Sequence, residues 1–397
     1  MIRISEKAKC CGCTACANIC PQKCITMCPD NEGFLYPQID EEKCVDCHLC
    51  EHVCPILNHQ PIKTDKLPKA FAVRTTDDKV LMESTSGGFT TPLAEWVFSR
   101  GGVIWCATYD ERNRVIHKRF TGFDQDFAKS RGSKYVQSDL GFSYREIEKE
   151  LKAGRLVCFV GTTCQVYGLV SYLRKPYENL VTVDLVCHGT PSPKLWEKYV
   201  EYQEEKYKSK IVKVNFRNKT YGYHSGTMLL EFENGRKYTG SARVDYMLNS
   251  FFSEISSRPS CYECPFKQIN RVSDFTIFDC WHAGDLIENI EDDDRGYTNV
   301  LLQTEKAKKV LFELRHIDAY EIECELAIRT DGIMIEHSAI ANSKRKSFYE
   351  GIDTRKFNSF AHDKLNISVP DRIVERSKTL VYRLGLLKIV KRLRSGE

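Results

Sequence analysis

No uninterrupted run of eighteen apolar residues occurs anywhere in this sequence, so no transmembrane helix is expected. Charge of one sign is also scarce. Against 58 Lys and Arg stand 54 Asp and Glu, and a formal net charge of +4 on 397 residues is too small to argue for nucleic acid as a partner. The start, Met1-Ile2-Arg3-Ile4-Ser5-Glu6-Lys7, lacks the apolar core of a signal peptide, and a cytoplasmic location is the expectation. No solenoid-type repeat is visible. With 42% hydrophobic and 28% charged residues the composition is that of an ordinary globular protein, long enough for two or three domains.

What is abundant is cysteine. Of 19, 11 lie between Cys10 and Cys54, and the other eight are scattered. A disulfide framework would need an oxidising compartment, whereas dense cysteine in a reducing one points to metal. Cys10, Cys13, Cys16 and Cys20-Pro21 follow the spacing C-x2-C-x2-C-x3-C-P, repeated unchanged at Cys44, Cys47, Cys50 and Cys54-Pro55. Three thiolates two residues apart wrap three corners of a cubane, while the fourth begins a helix that carries it to the other cluster. The expected ligation is therefore crossed, with Cys10, Cys13, Cys16 and Cys54 on one 4Fe–4S cluster and Cys44, Cys47, Cys50 and Cys20 on the other. Zinc also accepts C-x2-C pairs, but two complete copies with both prolines favour the two-cluster ferredoxin. Cys24 reads as a small core residue; Cys11 and Cys28 receive no role.

The rest of the chain alternates strand-like and helix-like stretches. Leu156 to Gly161 and Leu180 to Val186 read as buried strands, with helices over Thr91 to Arg100 and Tyr144 to Lys152. Residues 211–240 look antiparallel, with a turn at Glu233-Asn234-Gly235-Arg236. The expected class is α+β with an α/β-like core: a ferredoxin domain at 1–60, a mixed-sheet core over 68–150 and 151–330, and a helical basic tail at 331–397. In that tail Leu380, Leu384, Leu387, Val390 and Leu393 recur at helical spacing beside Lys and Arg. This suits an interfacial membrane helix, a partner-docking helix or a helix packed on its own core.

Several phrases carry candidate chemistry. Ser86-Gly87-Gly88 at a helix start offers unhindered backbone N–H groups to a pyrophosphate, and Lys134 is a candidate phosphate partner. Gly161-Thr162-Thr163, followed by Cys164 and Gln165, ends a strand where α/β folds place ligands. Cys164 and Cys187 each follow a buried strand, and Cys261-x-x-Cys264 supplies a close pair. These four are the candidate ligands of a third 4Fe–4S cluster, with Cys280 an alternative fourth. Cys106, Cys158 and Cys324 read as buried hydrophobes. His188 is a candidate proton donor or a satisfied structural histidine.

Taken with Glu83 to Phe89, Ser133 to Ser138, Asp184 to Pro193, Arg258 to Cys264 and Ser273 to Trp281, these phrases resemble the β-subunit family of the coenzyme F420 hydrogenases and dehydrogenases, in a form with a fused ferredoxin domain. The resemblance implies an FAD-containing iron–sulfur oxidoreductase. It passes electrons from a ferredoxin or redox-subunit donor to a small organic acceptor, in a setting associated with cell-surface polysaccharide assembly. An electron-relay subunit without its own substrate and a non-enzymatic iron–sulfur module are the rival expectations. Two phrases depart from the family: Gly161-Thr162-Thr163-Cys164 where Gly-Thr-Pro-Cys is common, and Phe278-Asp279-Cys280-Trp281-His282 where Gly-Asp-Phe-Trp-Gly is common.

Overall fold

The computed structural model describes residues 1–386. In the cysteine-rich segment the strands β1 (Ile25–Pro29) and β2 (Leu35–Ile39) pair antiparallel. Each cysteine triplet feeds a short helix, Ala15–Ile19 or Leu49–His52. The sequence duplication is also a backbone duplication. Gly12 and Thr14 in the first copy have φ of 70° and 63°, and Asp46 and His48 at the equivalent places have 50° and 58°. Left-handed residues at both positions curl each triplet round a common centre, which three L-residues would not do in a strand or helix.

The core is built on β3 (Lys69–Thr75), β4 (Val103–Tyr109), β5 (Val115–Phe120), β6 (Val157–Thr162), β7 (Leu180–Leu185), β11 (Phe275–Cys280), β12 (Tyr297–Leu302) and β13 (Ile317–Ile322). They form one eight-stranded sheet in the order β13-β3-β12-β11-β7-β6-β4-β5. The neighbours β4, β6, β7 and β11 run parallel, and the remaining pairs are antiparallel. The parallel strands are the near-continuous apolar runs of the sequence, because helices cover both faces of such a sheet. The stretches 68–150 and 151–330 both contribute strands to it. Between β7 and β11 the chain makes a separate antiparallel sheet of β8 (Ile211–Asn218), β9 (Thr227–Phe232) and β10 (Lys237–Ser241), with the expected turn between β9 and β10.

One apolar core joins this second sheet to the ferredoxin hairpin. Phe34, fully buried between β1 and β2, shares it with Trp196, Tyr199, Phe216, Phe348 and Phe360. Polar ties reinforce the contact. The guanidinium of Arg258, only 1% exposed, donates to the carbonyls of Cys10 (2.7 Å) and Leu35 (3.0 Å) and to Gln137 Oε1 (3.0 Å), and lies 4.1 Å from the Tyr36 ring centroid. Arg145 donates to the carbonyls of Ala17 and Cys20, and the buried Arg345 pairs with the half-buried Glu32 at 2.6 Å.

The helix Val369–Arg383 opens with a Ser368–Asp371 capping box. Its Glu375 accepts from the backbone N–H and hydroxyl of Ser241, and Tyr382 packs edge-on against Tyr221. Leu380 and Leu384 are 58% and 61% exposed, so a polar edge of the helix docks and the apolar positions stay outside. Leu387, Val390 and Leu393 lie outside the described residues. Among the described residues no helix is long and apolar enough to cross a membrane.

Arg258 holds loops that share no strand pairing, so its removal should act at the junction. Arg258→Ala is expected to lower stability by about 2–4 kcal/mol through lost charge-assisted bonds and to expose the 61–68 linker to protease. An unchanged denaturation midpoint together with unchanged proteolysis would show that the junction does not depend on this side chain.

Candidate functional site

The thiols of the ferredoxin segment fall into two groups. A small void is ringed by Cys20, Cys44, Cys47 and Cys50, with Cys24 also in its wall. Thus Cys20 has left its own triplet for the other one. Conversely, burial raises the Cys54 thiol pKa, with Cys10 adding to it. At Cys13 a hydrogen bond with Cys11 pulls the pKa down, but burial outweighs it with help from Cys16 and Cys54, and the net shift is upward. Cys24 sits 3.3 Å from the Cys20 sulfur and is buried, in keeping with a small packing residue. Among the described residues no three Cys, His, Asp or Glu side chains gather tightly enough for a single metal ion. A cubane holds its thiolates apart at its four corners.

Four core cysteines also converge. Cys164 lies in the first turn of the helix Thr163–Leu173, Cys187 two residues past the end of β7, and Cys261 and Cys264 in the loop before β11. Burial pushes the Cys187 and Cys264 thiols up to about 12, with Cys164 and Cys261 contributing to both. Hydroxyls stand beside two of the sulfurs, Thr162 at 3.3 Å from Cys164 and Thr190 at 3.7 Å from Cys261. Lys267, among the same thiols, donates to the Cys187 carbonyl at 2.6 Å. Hydroxyl donors and a cation suit thiolates that carry net negative charge. Cys280 is elsewhere: it is buried in an apolar cluster with Ala72, Leu301 and Ile328. The alternative ligand set therefore finds no support in the packing.

Cys11, given no role by the sequence, stands between the two groups. The neighbouring Cys13 thiol is the main cause of its raised pKa, and the Cys164 thiol is a second neighbour that acts against it. The helix Thr163–Leu173 comes this close because residue 168 is glycine. A Cβ there would meet Cys13 Cβ at 2.8 Å and Cys13 Sγ at 3.1 Å.

Behind this contact opens a cavity of about 400 Å³, at the carboxyl ends of the parallel strands, where open α/β sheets bind ligands. Cys164 and Cys187 form part of its wall, as do Ser86, Gly88, Lys134, Gly161, Thr162, Gln165 and His188. Gly87 and Thr163 stand behind the wall. Gly87 donates to Thr298 Oγ1 at 2.9 Å, where a Cβ would strike the Val73 carbonyl. Thr163 accepts from Arg271, itself in a fully buried pair with Asp184. Gln165 closes a capping box with Thr162 and donates to Ser138 at 2.9 Å, so it shapes the wall from within. Lys134 is half-buried, its Nζ donating to the carbonyls of Ser130 (2.9 Å) and Gly132 (3.1 Å), and desolvation lowers its pKa to about 8. His188 Nε2 is hydrogen-bonded to the Glu254 carboxylate; since a carboxylate only accepts, the proton sits on Nε2.

Other wall residues were assigned no role by the sequence: Tyr135, Asp279 and Trp281 lie within the phrases that carry the resemblance, and His117 and Arg217 lie in none. His117, stacked on Phe159 and held by Ser138 and the Val160 carbonyl, is kept neutral by burial, its pKa lowered to about 4. Tyr135 stacks on Phe251 at 4.2 Å. Arg217, Asp279 and Trp281 form one end. Only the Phe278–His282 departure pointed there; β8, which supplies Arg217, reads as an ordinary amphipathic strand.

Residues 154–325 match the family described as the C terminus of the coenzyme F420 hydrogenase/dehydrogenase beta subunit, and residues 9–57 match the 4Fe–4S dicluster domain. Together the matches span more than half of the chain. Residues 154–325 thus form a domain of that β-subunit family, and a dicluster ferredoxin domain precedes them in the same chain. The chain is thereby an iron–sulfur protein of oxidoreductase type, related to hydrogenase and dehydrogenase subunits. A solved chain of the xenon-derivatised F420-reducing [NiFe] hydrogenase complex from Methanosarcina barkeri overlays it with a TM-score of 0.44 and 17% identity, over 81% of this chain and 96% of that one. So distant an overlay carries no argument about residues. No curated protein matches.

The approach at Gly168 can be tested directly. Gly168→Leu should overpack the contact by about 1–3 kcal/mol and lower the melting temperature by several degrees. A Tm equal to that of the parent would mean that the ferredoxin segment is not pressed against this helix.

Proposed function

We propose that this chain is an FAD- and 4Fe–4S-dependent reductase that receives single electrons at its ferredoxin segment and reduces an organic acceptor in the central cavity. The observation that carries this reading is the series Cys13, Cys11, Cys164: ferredoxin ligands abut the core cysteines, and the core cysteines open on the cavity. Cys164, Cys187, Cys261 and Cys264 would hold the third cluster. The donor set fits, being four thiols from three segments with hydroxyls and Lys267 beside them. Ser86, Gly88 and Lys134 would hold the pyrophosphate of FAD, since a half-buried lysine whose hydrogen bonds go to carbonyls gains from an anion. A bound flavin supplies the exchange between one-electron carriers and two-electron hydride chemistry.

The remaining work falls to the chain. Gly168 sets the distance between the ferredoxin and core cysteines. The apolar wall of Phe251, Phe252, Ile277 and Phe278 excludes water. Glu254 holds the His188 ring through Nε2–H, and a proton carried on Nδ1 is the one the ring can pass to an acceptor that has taken hydride. The partner on the donor side is a ferredoxin-type or redox-subunit protein.

Purified without oxygen, the full chain should contain about twelve irons by four-iron stoichiometry and one flavin. Cys187→Ser and Cys264→Ser should each fall to about eight irons, keep both ferredoxin clusters in the paramagnetic resonance spectrum, and lose flavin reduction by a reduced ferredoxin. Full iron content in both variants would remove the third cluster, and a flavin-free parent would remove the reductase reading.

A further inference from the structure

Carboxylates and cations in the cavity wall are not equally satisfied. Asp331 has both oxygens engaged, Oδ1 by His282 Nδ1 at 2.6 Å and Oδ2 by the Trp281 N–H (3.1 Å) and Asn299 Nδ2 (3.3 Å). Asp279 is engaged on both sides too, Oδ1 by the Tyr223 hydroxyl (3.2 Å) and Oδ2 by Arg217 Nη1 (3.1 Å). Arg217 is only 6% exposed. Its Nη1 also donates to the Tyr135 hydroxyl at 3.1 Å, while its Nη2 is buried with no partner. A guanidinium carries five N–H donors, and each one left unpaired out of water costs free energy.

The guanidinium is also positioned with care. Its carbon lies 4.5 Å from the Trp281 ring centroid, and Trp281 is backed by Tyr223, stacked at 4.5 Å. Gly226 clears the way for the side chain, since a Cβ there would lie 2.7 Å from Arg217 Nε. Arg217 gives Nη1 to Asp279 and Tyr135, which steadies it, and leaves Nη2 over. A glycine and a stacked indole hold the charge at the cavity wall.

We infer that Arg217, set against Trp281 and steadied by Tyr135 and Asp279, binds an anionic oxygen group, carboxylate or phosphate, of the acceptor that this cavity reduces. The inference rests on the reductase reading for the word acceptor, but the anion site stands on its own geometry. It makes the acceptor an acidic molecule. It also separates two anion-binding ends of one cavity, with Lys134 and Ser86 toward the cofactor and Arg217 toward the acceptor. Between them the stacked Tyr135 and Phe251 form an apolar stretch that leads to His188, whose ring centroid is 5.2 Å from Phe251.

The test uses the full chain as purified without oxygen, and two readouts. In the first, tryptophan fluorescence is followed while inorganic phosphate, or in a second arm acetate, is added at constant ionic strength. The anion should perturb the Trp281 signal in the parent, with the stronger arm identifying the anion class. Arg217→Gln should weaken the response at least about tenfold, the value of one charge-assisted contact. Trp281→Phe should remove the signal and so assign it. In the second readout, FMN and riboflavin serve as added acceptors; they share one ring system and differ in a phosphate. The parent should favour FMN by about tenfold in kcat/KM, with Arg217→Gln abolishing the preference and Arg217→Lys restoring part of it. The bound flavin content of Arg217→Gln should equal that of the parent.

Equal fluorescence responses in parent and Arg217→Gln would overturn the site. Loss of bound flavin from Arg217→Gln would also overturn it, by assigning the guanidinium to the cofactor's own phosphate. A parent that holds no flavin would sink the reductase reading while the phosphate titration still reports on Arg217, so the two failures are distinct.

Discussion

The closeness of the loop Cys10–Cys13 to the helix beginning at Thr163 is the constraint on which the rest depends. Electron transfer between buried carriers is a matter of distance, and distance here is set by one missing side chain at Gly168 and one buried cation at Arg258. The arginine reaches three partners in three different segments, two of them in the ferredoxin part. The glycine lets a helix meet a cysteine side chain where any Cβ would intrude. Neither residue binds a cluster, yet together they decide whether the ferredoxin part is a passenger or part of one path.

The cavity follows from the sheet. Four parallel strands end on one side, and their last residues and the loops that leave them bring Gly161, Thr162, Cys187, His188 and Trp281 to a common space. The three-stranded sheet inserted between β7 and β11 closes that space with Arg217. A parallel core alone would have left the site open to water. The inserted sheet adds aromatic walls and a low-dielectric setting, in which each remaining polar group counts for more. Burial accordingly holds His117 neutral and brings Lys134 to about 8.

Much of this was legible in the residues. The doubled C-x2-C-x2-C-x3-C-P spacing marked the dicluster domain, and in the structure Cys20 lies with the second triplet around one void. The buried strands were legible because a strand covered on both faces has no polar alternation to confuse with a loop. Gly87 was placed one step too far forward. A glycine required by packing against the Val73 carbonyl looks the same in sequence as a glycine required by a ligand. The tail's apolar stripe was also read without its context. Docking through Glu375 and Tyr382 turns the helix so that Leu380 and Leu384 face outward.

By itself the sequence determined the dicluster ferredoxin character of the first segment, the class of the core and the family resemblance, because each depends on spacing and periodicity along the chain. Only the tertiary structure decided that Cys11 bridges toward Cys164, that Cys280 stands apart from the other core cysteines, and that Arg217 ends in a cavity with a donor unpaired. Those facts depend on which residues far apart in the chain become neighbours, and on which of their hydrogen bonds are already taken. Local patterns do not encode either, since a buried arginine on a strand and a spare cysteine in a loop acquire meaning only from the atoms packed against them.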